Sequence, residues 1–139
     1  MNIAKKRNRI VAFIVDATLY FIIFIIFGIF FGVEKSDGNG FNIVGFPALV
    51  LFFISLFLWP LSESFSGQTI GKRLVGLKVV NESFKEIKTR QAILRFLFAY
   101  IDLGFFLVGL FVASSNKQNQ RIGDLVAKTV VIDLNEKQT

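Results

Sequence analysis

RIVAFIVDATLYFIIFIIFGIFFG, residues 9–32, is an apolar run that carries one aspartate near its start. From Ile10 to Gly32 there are 23 residues, and Asp16 is the only charged one. At about 1.5 Å per helical residue, about 20 residues cross the hydrocarbon core of a bilayer. The stretch therefore predicts a first transmembrane helix, and it raises the question of what neutralises a carboxylate inside it.

The composition of the chain is typical of a membrane protein. Hydrophobic residues make up 53% of the 139 residues, which is more than a soluble domain usually carries. The absence of Cys and His excludes disulfides, thiolate metal sites and imidazole acid–base chemistry. Because nothing arranges the remaining carboxylates and hydroxyls around a substrate, we expect no enzymatic activity, no catalytic residue, no metal and no cofactor.

The net charge of +6 follows a membrane pattern. Basic residues flank the apolar runs, where they contact anionic headgroups and set the topology, so we expect lipids and no nucleic acid as partners. They are concentrated before residue 10 and within residues 62–91. By the positive-inside rule both regions are cytoplasmic, and the loop EKSDGNG, residues 34–40, faces the other side.

The expected fold is an all-α membrane protein that forms a single domain over residues 1–139. It has three hydrophobic helical segments and one small cytoplasmic element that resembles a β-hairpin. The hairpin is predicted from GLKVV (76–80) and FKEIK (84–88). The segments are helix 1 over about 10–32, helix 2 over about 41–61, the cytoplasmic stretch 62–91, helix 3 over about 93–113 and a tail over 114–139.

The third segment leaves two topologies open, because Arg95 lies near its start and Asp102 near its middle. A single crossing puts the basic tail outside, against the charge rule. A broken or re-entrant segment that turns near Gly104 keeps the tail in the cytoplasm. The second topology allows KTVVID (128–133) to pair with GLKVV, since pairing requires both stretches on the same side.

Arg9 and Asp16 lie on one helix face, because seven residues correspond to nearly two turns. They are about 10.5 Å apart along the axis, and helical side chains lean toward the N-terminus, so no direct ion pair is expected. Arg95 and Asp102 repeat the spacing. A charged aspartate at mid-membrane costs about 2.5–3.5 kcal/mol, so Asp16 either pairs with Arg95 or another arginine, or binds a proton or small cation.

Three motifs in this order resemble the RDD family of bacterial integral membrane domains, named for one arginine and two aspartates. They are the R-x6-D of helix 1, GQTIGKRLVGLKVV (67–80), and LRFLFAYIDLGFFLVGLF (94–111) followed by QRIGDLVAKTVV (120–131). The resemblance implies that Arg9, Asp16 and Asp124 are the named residues. It departs from the family pattern at Lys128, where a glycine is usual, and at Gly104, near where relatives often carry proline.

The resemblance also implies a bacterial inner membrane, where we expect a multi-pass chain with a cytoplasmic N-terminus. Family members are associated with transport of an unidentified ligand, and some with cation/proton exchange. Our leading hypothesis is transport of a cation or proton, and the alternative is a non-transporting accessory or scaffold protein with structural Arg/Asp pairs. The candidate pathway residues are Arg9, Asp16, Arg95, Asp102 and Asp124.

Three helices do not easily enclose a pathway, so we expect a homo-oligomer or a partner membrane subunit, with contacts at small residues such as Gly28 and Gly32. GQTIGKR lacks the glycine spacing and the Ser or Thr of a phosphate-binding loop. Its Lys72 and Arg73 are instead expected to contact lipid headgroups. If the tail docks on helix 1, Asp124 meets Arg9.

Overall fold

The computed structural model describes the backbone of residues 2–104 and 117–135, and the side chains of residues 2–99 and 117–135. The described chain is mostly helical, as predicted, and contains two small sheets, whereas the prediction included one small hairpin-like element. The helices are α1 (Lys6–Phe31), α2 (Phe46–Leu56), α3 (Ser62–Ser66), α4 (Ile70–Val75), α5 (Thr89–Gly104) and α6 (Ile122–Val126). The strands are β1 (Asn2–Ile3), β2 (Val33–Glu34), β3 (Phe41–Asn42), β4 (Leu77–Asn81) and β5 (Thr129–Asp133).

Two helical stretches are long and apolar enough to cross a membrane. The first is Lys6–Phe31 with 26 residues, and the second is Phe46–Ser66 with 21 residues. The second passes from α2 into α3 through a π-helical turn over Phe57–Leu61 that contains Pro60. Proline has no N–H to donate to the carbonyl four residues before it, and the turn widens to accommodate this. The helix therefore continues through the proline to Ser66.

A short hairpin connects the two long helices. β2 pairs antiparallel with β3, with Val33 opposite Asn42 and Glu34 opposite Phe41. The ring of Phe41 lies over Gly28, where an added Cβ would be 1.9 Å from it. The Gly28 and Gly32 surface, expected to contact another copy, is thus covered by a side chain of the same molecule.

The second sheet joins the beginning, middle and end of the chain. Its strand order is β1-β5-β4, and both pairings are antiparallel. Val79 faces Val131 across β4 and β5, and the side chains of both are buried. KTVVID pairs with GLKVV, a pairing that the sequence predicted only for a broken or re-entrant third segment. The predicted hairpin between GLKVV and FKEIK is reduced to one bridge, Val80 to Glu86, and the backbone N–H of Val79 on β4 donates instead to the carbonyl oxygen of Gly67.

We use the term polar layer for β1, β4, β5, α4 and α6, which gather at the N-terminal end of α1. Its apolar core contains Ala12 from α1, Leu77 and Val79 from β4, and Val131 from β5. Away from this end, α1 and α2 expose large apolar side chains such as Phe30 and Phe46, as helices facing lipid do. α5 begins at Thr89. Residues 105–113 of the third apolar segment lie outside the described residues.

Candidate functional site: a buried charge cluster beside the first helix

Five charged side chains from five helices meet where α1 enters the polar layer. We call Arg9, Glu63, Lys72, Arg95 and Asp124 the charge cluster. Each member forms an ion pair with another member. Three of them are almost completely buried: Arg9, Glu63 and Asp124. Buried charges are stable only when paired and hydrogen-bonded, so these contacts fix how the helices pack.

Asp124 lies between two arginines. Its Oδ2 accepts a hydrogen bond from Arg9 Nη2, and its Oδ1 accepts one from Arg95 Nη1. The backbone N–H of Arg121 donates to Oδ2 at 3.0 Å. Burial alone raises the pKa of Asp124, but the positive charges of Arg9 and Arg95 outweigh it and hold the pKa well below its ordinary value. Asp124 is therefore an ionised bridge between α1 and α5, as the docking hypothesis predicted for Arg9.

α6 brings Asp124 to this position because it packs closely on α5. A Cβ added to Gly123 would be 3.1 Å from the carbonyl oxygen of Arg95, so the small residue allows the approach. Arg9 secures the segment before α6, since its Nη1 donates to the carbonyl oxygen of Asn119. The RIGD motif thus serves as a docking element that ends in a carboxylate.

Arg95 connects three parts of the chain. Its Nε donates to Glu63 Oε2 at 3.0 Å, and its Nη1 donates to Thr129 Oγ1 at 2.8 Å as well as to Asp124. The predicted site residue Arg95 therefore joins the second long helix to β5 and α6. The side chain of Asp102, its sequence companion, lies outside the described residues, and its role stays a prediction.

Glu63 is the cluster member that the sequence interpretation missed. Its second oxygen, Oε1, accepts from Lys72 Nζ, so the carboxylate is shared between a lysine and Arg95. One feature of the sequence could have identified it: Glu63 is the only charged residue between Phe41 and Gly71. A lone carboxylate at the end of an apolar run requires a partner within the fold.

Asp16 has a different environment from the one predicted. Its Oδ2 accepts from Thr69 Oγ1 at 2.5 Å, and its Oδ1 accepts from the backbone N–H of Gly71 at 2.7 Å. Thr69 is the N-cap of α4, and its hydroxyl also accepts from the backbone N–H of Lys72. Of the alternatives considered for Asp16, an arginine partner is not seen among the described residues, and uncharged donors at the start of α4 bind its carboxylate instead.

Gly71 explains why α4 can reach Asp16. A Cβ at this position would lie 2.1 Å from the carbonyl oxygen of Ala12, which is backbone and has little freedom to move. The GQTIGKR stretch therefore provides a hydroxyl, a close backbone approach and a lysine to the site. Spacing along one helix gave no indication of this contact.

The side chain of Lys72 lies inside the charge cluster, whereas that of Arg73 is on the surface. The ammonium of Lys72 binds Glu63, and its side chain is 17% exposed. Burial lowers the pKa of Lys72 well below its ordinary value, Arg95 lowers it further, and the carboxylate of Asp16 opposes the shift. Arg73 is exposed. Of the two residues expected at lipid headgroups, Arg73 has the required exposure and Lys72 belongs to the charge cluster.

The formal charges of the site balance. Arg9, Lys72 and Arg95 contribute three positive charges, and Glu63 and Asp124 with the adjacent Asp16 contribute three negative ones. Loss of one proton, most readily from the lysine, leaves a single negative charge that a monovalent cation can neutralise. Among residues 2–99 and 117–135, no three acidic side chains group together as a metal site requires.

Comparisons with known proteins agree with these motifs. The model of the RDD family matches residues 3–128. The uncharacterized protein YxaI of Bacillus subtilis (strain 168) is 33% identical over 85 residues, which are 60% of this chain and 56% of the relative. The match thus spans little more than half of that relative's length. No solved structure matches the chain. With most of its length matched by the family model, the chain belongs to the RDD family of membrane proteins.

Proposed function

We propose that this RDD-family protein binds a proton or a small monovalent cation at the charge cluster and Asp16, and moves it across the membrane as a homo-oligomer or with a partner subunit. The observation that carries the proposal is the buried pair of Lys72 and Glu63 beside Asp16. Because burial lowers the pKa of its ammonium, Lys72 releases a proton more readily than an exposed lysine, and it does so next to a carboxylate.

Charge balance gives this pair an exchange chemistry. When Lys72 is protonated the six charges cancel, and the carboxylate of Glu63 has its counter-ion. When Lys72 releases its proton, Glu63 and the nearby Asp16 retain one uncompensated negative charge. A cation that enters restores neutrality, so proton release and cation binding are coupled at one site. Arg9, Arg95 and Asp124 hold the site together around them.

The proposed location is the bacterial inner membrane, with several crossings and a cytoplasmic N-terminus. The proposal is supported by the pairing of β1, β4 and β5 in one sheet, since strands that pair with one another lie on the same side of a membrane. The same side carries most of the basic residues, which favours the cytoplasm. Because β4 and β5 share a side, a single crossing between Thr89 and Lys117 is disfavoured.

An oligomer is proposed because the two spanning helices found among the described residues do not surround a pathway. Gly28 and Gly32 are covered by Phe41, so the contact between copies must use other surfaces. Exposed rings such as Phe30, Phe46 and Phe53 are suitable for contact with a second copy as well as with lipid. Light scattering of the detergent-solubilised protein, with the detergent mass subtracted, measures the number of copies.

Flux in proteoliposomes tests the transport proposal. Proton and monovalent cation fluxes are measured for the wild type, for Asp16→Asn and Lys72→Gln, and for Lys85→Gln as an exposed control of equal charge change to the lysine variant. We expect both site variants to lose at least about tenfold in flux, which is about 1.4 kcal/mol in the barrier, and the control to keep it. Circular dichroism and copy number confirm that each variant is folded. Absence of flux in a folded wild type, over sodium, potassium and proton gradients, contradicts transport.

The second candidate function is that of a non-transporting accessory or scaffold protein. It is favoured by the way Asp16 is used, since both of its oxygens accept hydrogen bonds from α4 within the same chain. In that case Asp16→Asn lowers stability without any flux to lose. The same wild-type vesicles therefore distinguish the two functions.

A further inference from the structure

We infer that one face of α3 and α4 lies in the headgroup region of the membrane and binds anionic phospholipid. The face consists of Phe65, Ile70, Arg73 and Leu74, and we call it the α3–α4 face. The inference is independent of transport, because it concerns exposed side chains that do not belong to the charge cluster.

The α3–α4 face exposes three large apolar side chains, Phe65, Ile70 and Leu74. Phe65 is 81% exposed and Leu74 is 73% exposed. Ile70 and Leu74 are four residues apart on α4 and therefore point the same way, with Ile70 also exposed. Contact of side chains this large with water costs free energy relative to burial in apolar surroundings. An apolar environment outside the chain removes this cost.

The position of α4 along α1 gives the depth of the face. Gly71 lies against Ala12 and Asp16, which follow Ile10, the first residue of the apolar run, by two and six positions. At about 1.5 Å per residue, α4 crosses α1 about 3–9 Å into that run. α3 is the end of the second long helix, so Phe65 is also at a membrane boundary. Short amphipathic helices bury their apolar side at this depth.

Charge selects anionic lipid as the occupant. Arg73 is exposed between Ile70 and Leu74, so its guanidinium can reach a phosphate while its neighbours enter the acyl region. The exposed ends of the polar layer are rich in cations and carry two exposed carboxylates in the turn after β4, Glu82 and Glu86. A second copy on the same face would bring two Arg73 side chains together, which like-charge repulsion disfavours. Other exposed cations in the segments that we assign to the same side of the membrane include Lys85, Lys88, Arg90, Lys117 and Lys128.

Site-specific fluorescence tests the depth. The natural chain has no Cys, so Leu74→Cys and Glu82→Cys each provide one labelling position. Both are labelled with an environment-sensitive dye and reconstituted in vesicles of phosphatidylcholine with phosphatidylglycerol. We expect blue-shifted emission, protection from iodide and quenching by doxyl-labelled lipid at position 74, and free iodide access at position 82. Iodide access at position 74 overturns the inference. Protection there without quenching by doxyl lipid overturns it in favour of a second copy.

A second experiment tests the preference for anionic lipid. Energy transfer from Trp59 to a labelled phosphatidylglycerol, against labelled phosphatidylcholine, reports which lipid is enriched around the protein. We expect Arg73→Gln to lower the enrichment by at least about twofold, and Lys85→Gln, which makes the same charge change on the turn after β4, to leave it largely intact. Equal effects of the two variants mean that only overall charge matters, which contradicts a site at the α3–α4 face.

Discussion

Arg9 and Asp124 are 115 positions apart in the chain and form a buried ion pair that ties the first helix to the last. Arg95 binds the other oxygen of the same carboxylate, so α1, α5 and α6 meet at one side chain. The RDD motif, as carried by this chain, thus contains two separate contacts. One joins its arginine to its second aspartate, and the other joins its first aspartate to α4.

Asp124→Asn is expected to destabilise the folded protein strongly. The change leaves Arg9 buried without the carboxylate that pairs with it, and breaking a buried pair from one side costs about 3–5 kcal/mol. Chemical unfolding in mild detergent measures the loss. Glu86→Gln is the matched control, because Glu86 pairs with Lys78 at 3.3 Å while 82% exposed, and such pairs contribute less than about 1 kcal/mol. Equal losses in the two variants would show that the buried bridge is not structural.

Acid is expected to unfold the protein partly through Asp124. Its pKa is lowered in the folded state by Arg9 and Arg95 against the effect of burial, so its contribution to stability is complete above the unfolded value of about 3.9. That contribution is lost as the pH falls below that value toward the lowered folded pKa. Unfolding free energies measured from neutral pH to about pH 3 should therefore decline less steeply for Asp124→Asn than for the wild type. A parallel decline in both proteins contradicts this.

Lys72 predicts a change of the same sign, a rise of stability with pH, but in the alkaline range. Its pKa is lowered in the folded protein, first by burial and then by Arg95, below its ordinary value of 10.5. Between the lowered pKa and that ordinary value the unfolded chain binds more protons, so stability rises with pH. We expect this rise in the wild type and its absence in Lys72→Met, measured by unfolding over the alkaline range. Lys85→Met, exposed in the turn, controls for the general effect of high pH on lysines.

Gly71→Ala is expected to separate α4 from α1. The added methyl group would lie 2.1 Å from the carbonyl oxygen of Ala12, and forcing extra atoms into a packed contact costs about 1–3 kcal/mol or more. The hydrogen bond from residue 71 to Asp16 weakens with it. Gly38→Ala is the control, since Gly38 has a positive φ of 70° but open space around it, and only backbone strain of about 1 kcal/mol is added. A loss for Gly71→Ala no greater than that of the control contradicts close packing.

Lys128→Gly is expected to stabilise the protein by up to about 1 kcal/mol. Lys128 has φ of 52°, a left-handed conformation that glycine adopts without the cost that a side chain imposes. This also gives a physical reason for the glycine that the family resemblance led us to expect there. Lys128→Ala removes the same charge but keeps a Cβ, so it separates backbone strain from electrostatics. Thermal unfolding of the three proteins should rank the glycine variant first, and an equal gain from alanine would assign the effect to charge.

Local patterns were sufficient for several features. The length of the apolar run identifies α1, and the likeness of KTVVID to GLKVV indicates the pairing of β5 with β4. The turn at Pro60 was less predictable, because a proline removes one hydrogen bond but the surrounding helix decides whether the chain stops or widens. The third apolar segment could not be assigned to one topology, because charge and length pointed in different directions.

By itself, the sequence determined that the chain has helices long enough to cross a membrane, basic segments beside them and the three RDD residues. Apolar length and charge are local properties of the sequence. Tertiary structure decided which charges meet. Glu63 lies in the site and accepts a hydrogen bond from Lys72, and Asp16 accepts hydrogen bonds from Thr69 and Gly71 instead of from an arginine. A buried carboxylate is satisfied by whichever donors the packing brings within about 3 Å, and those donors are distant along the chain.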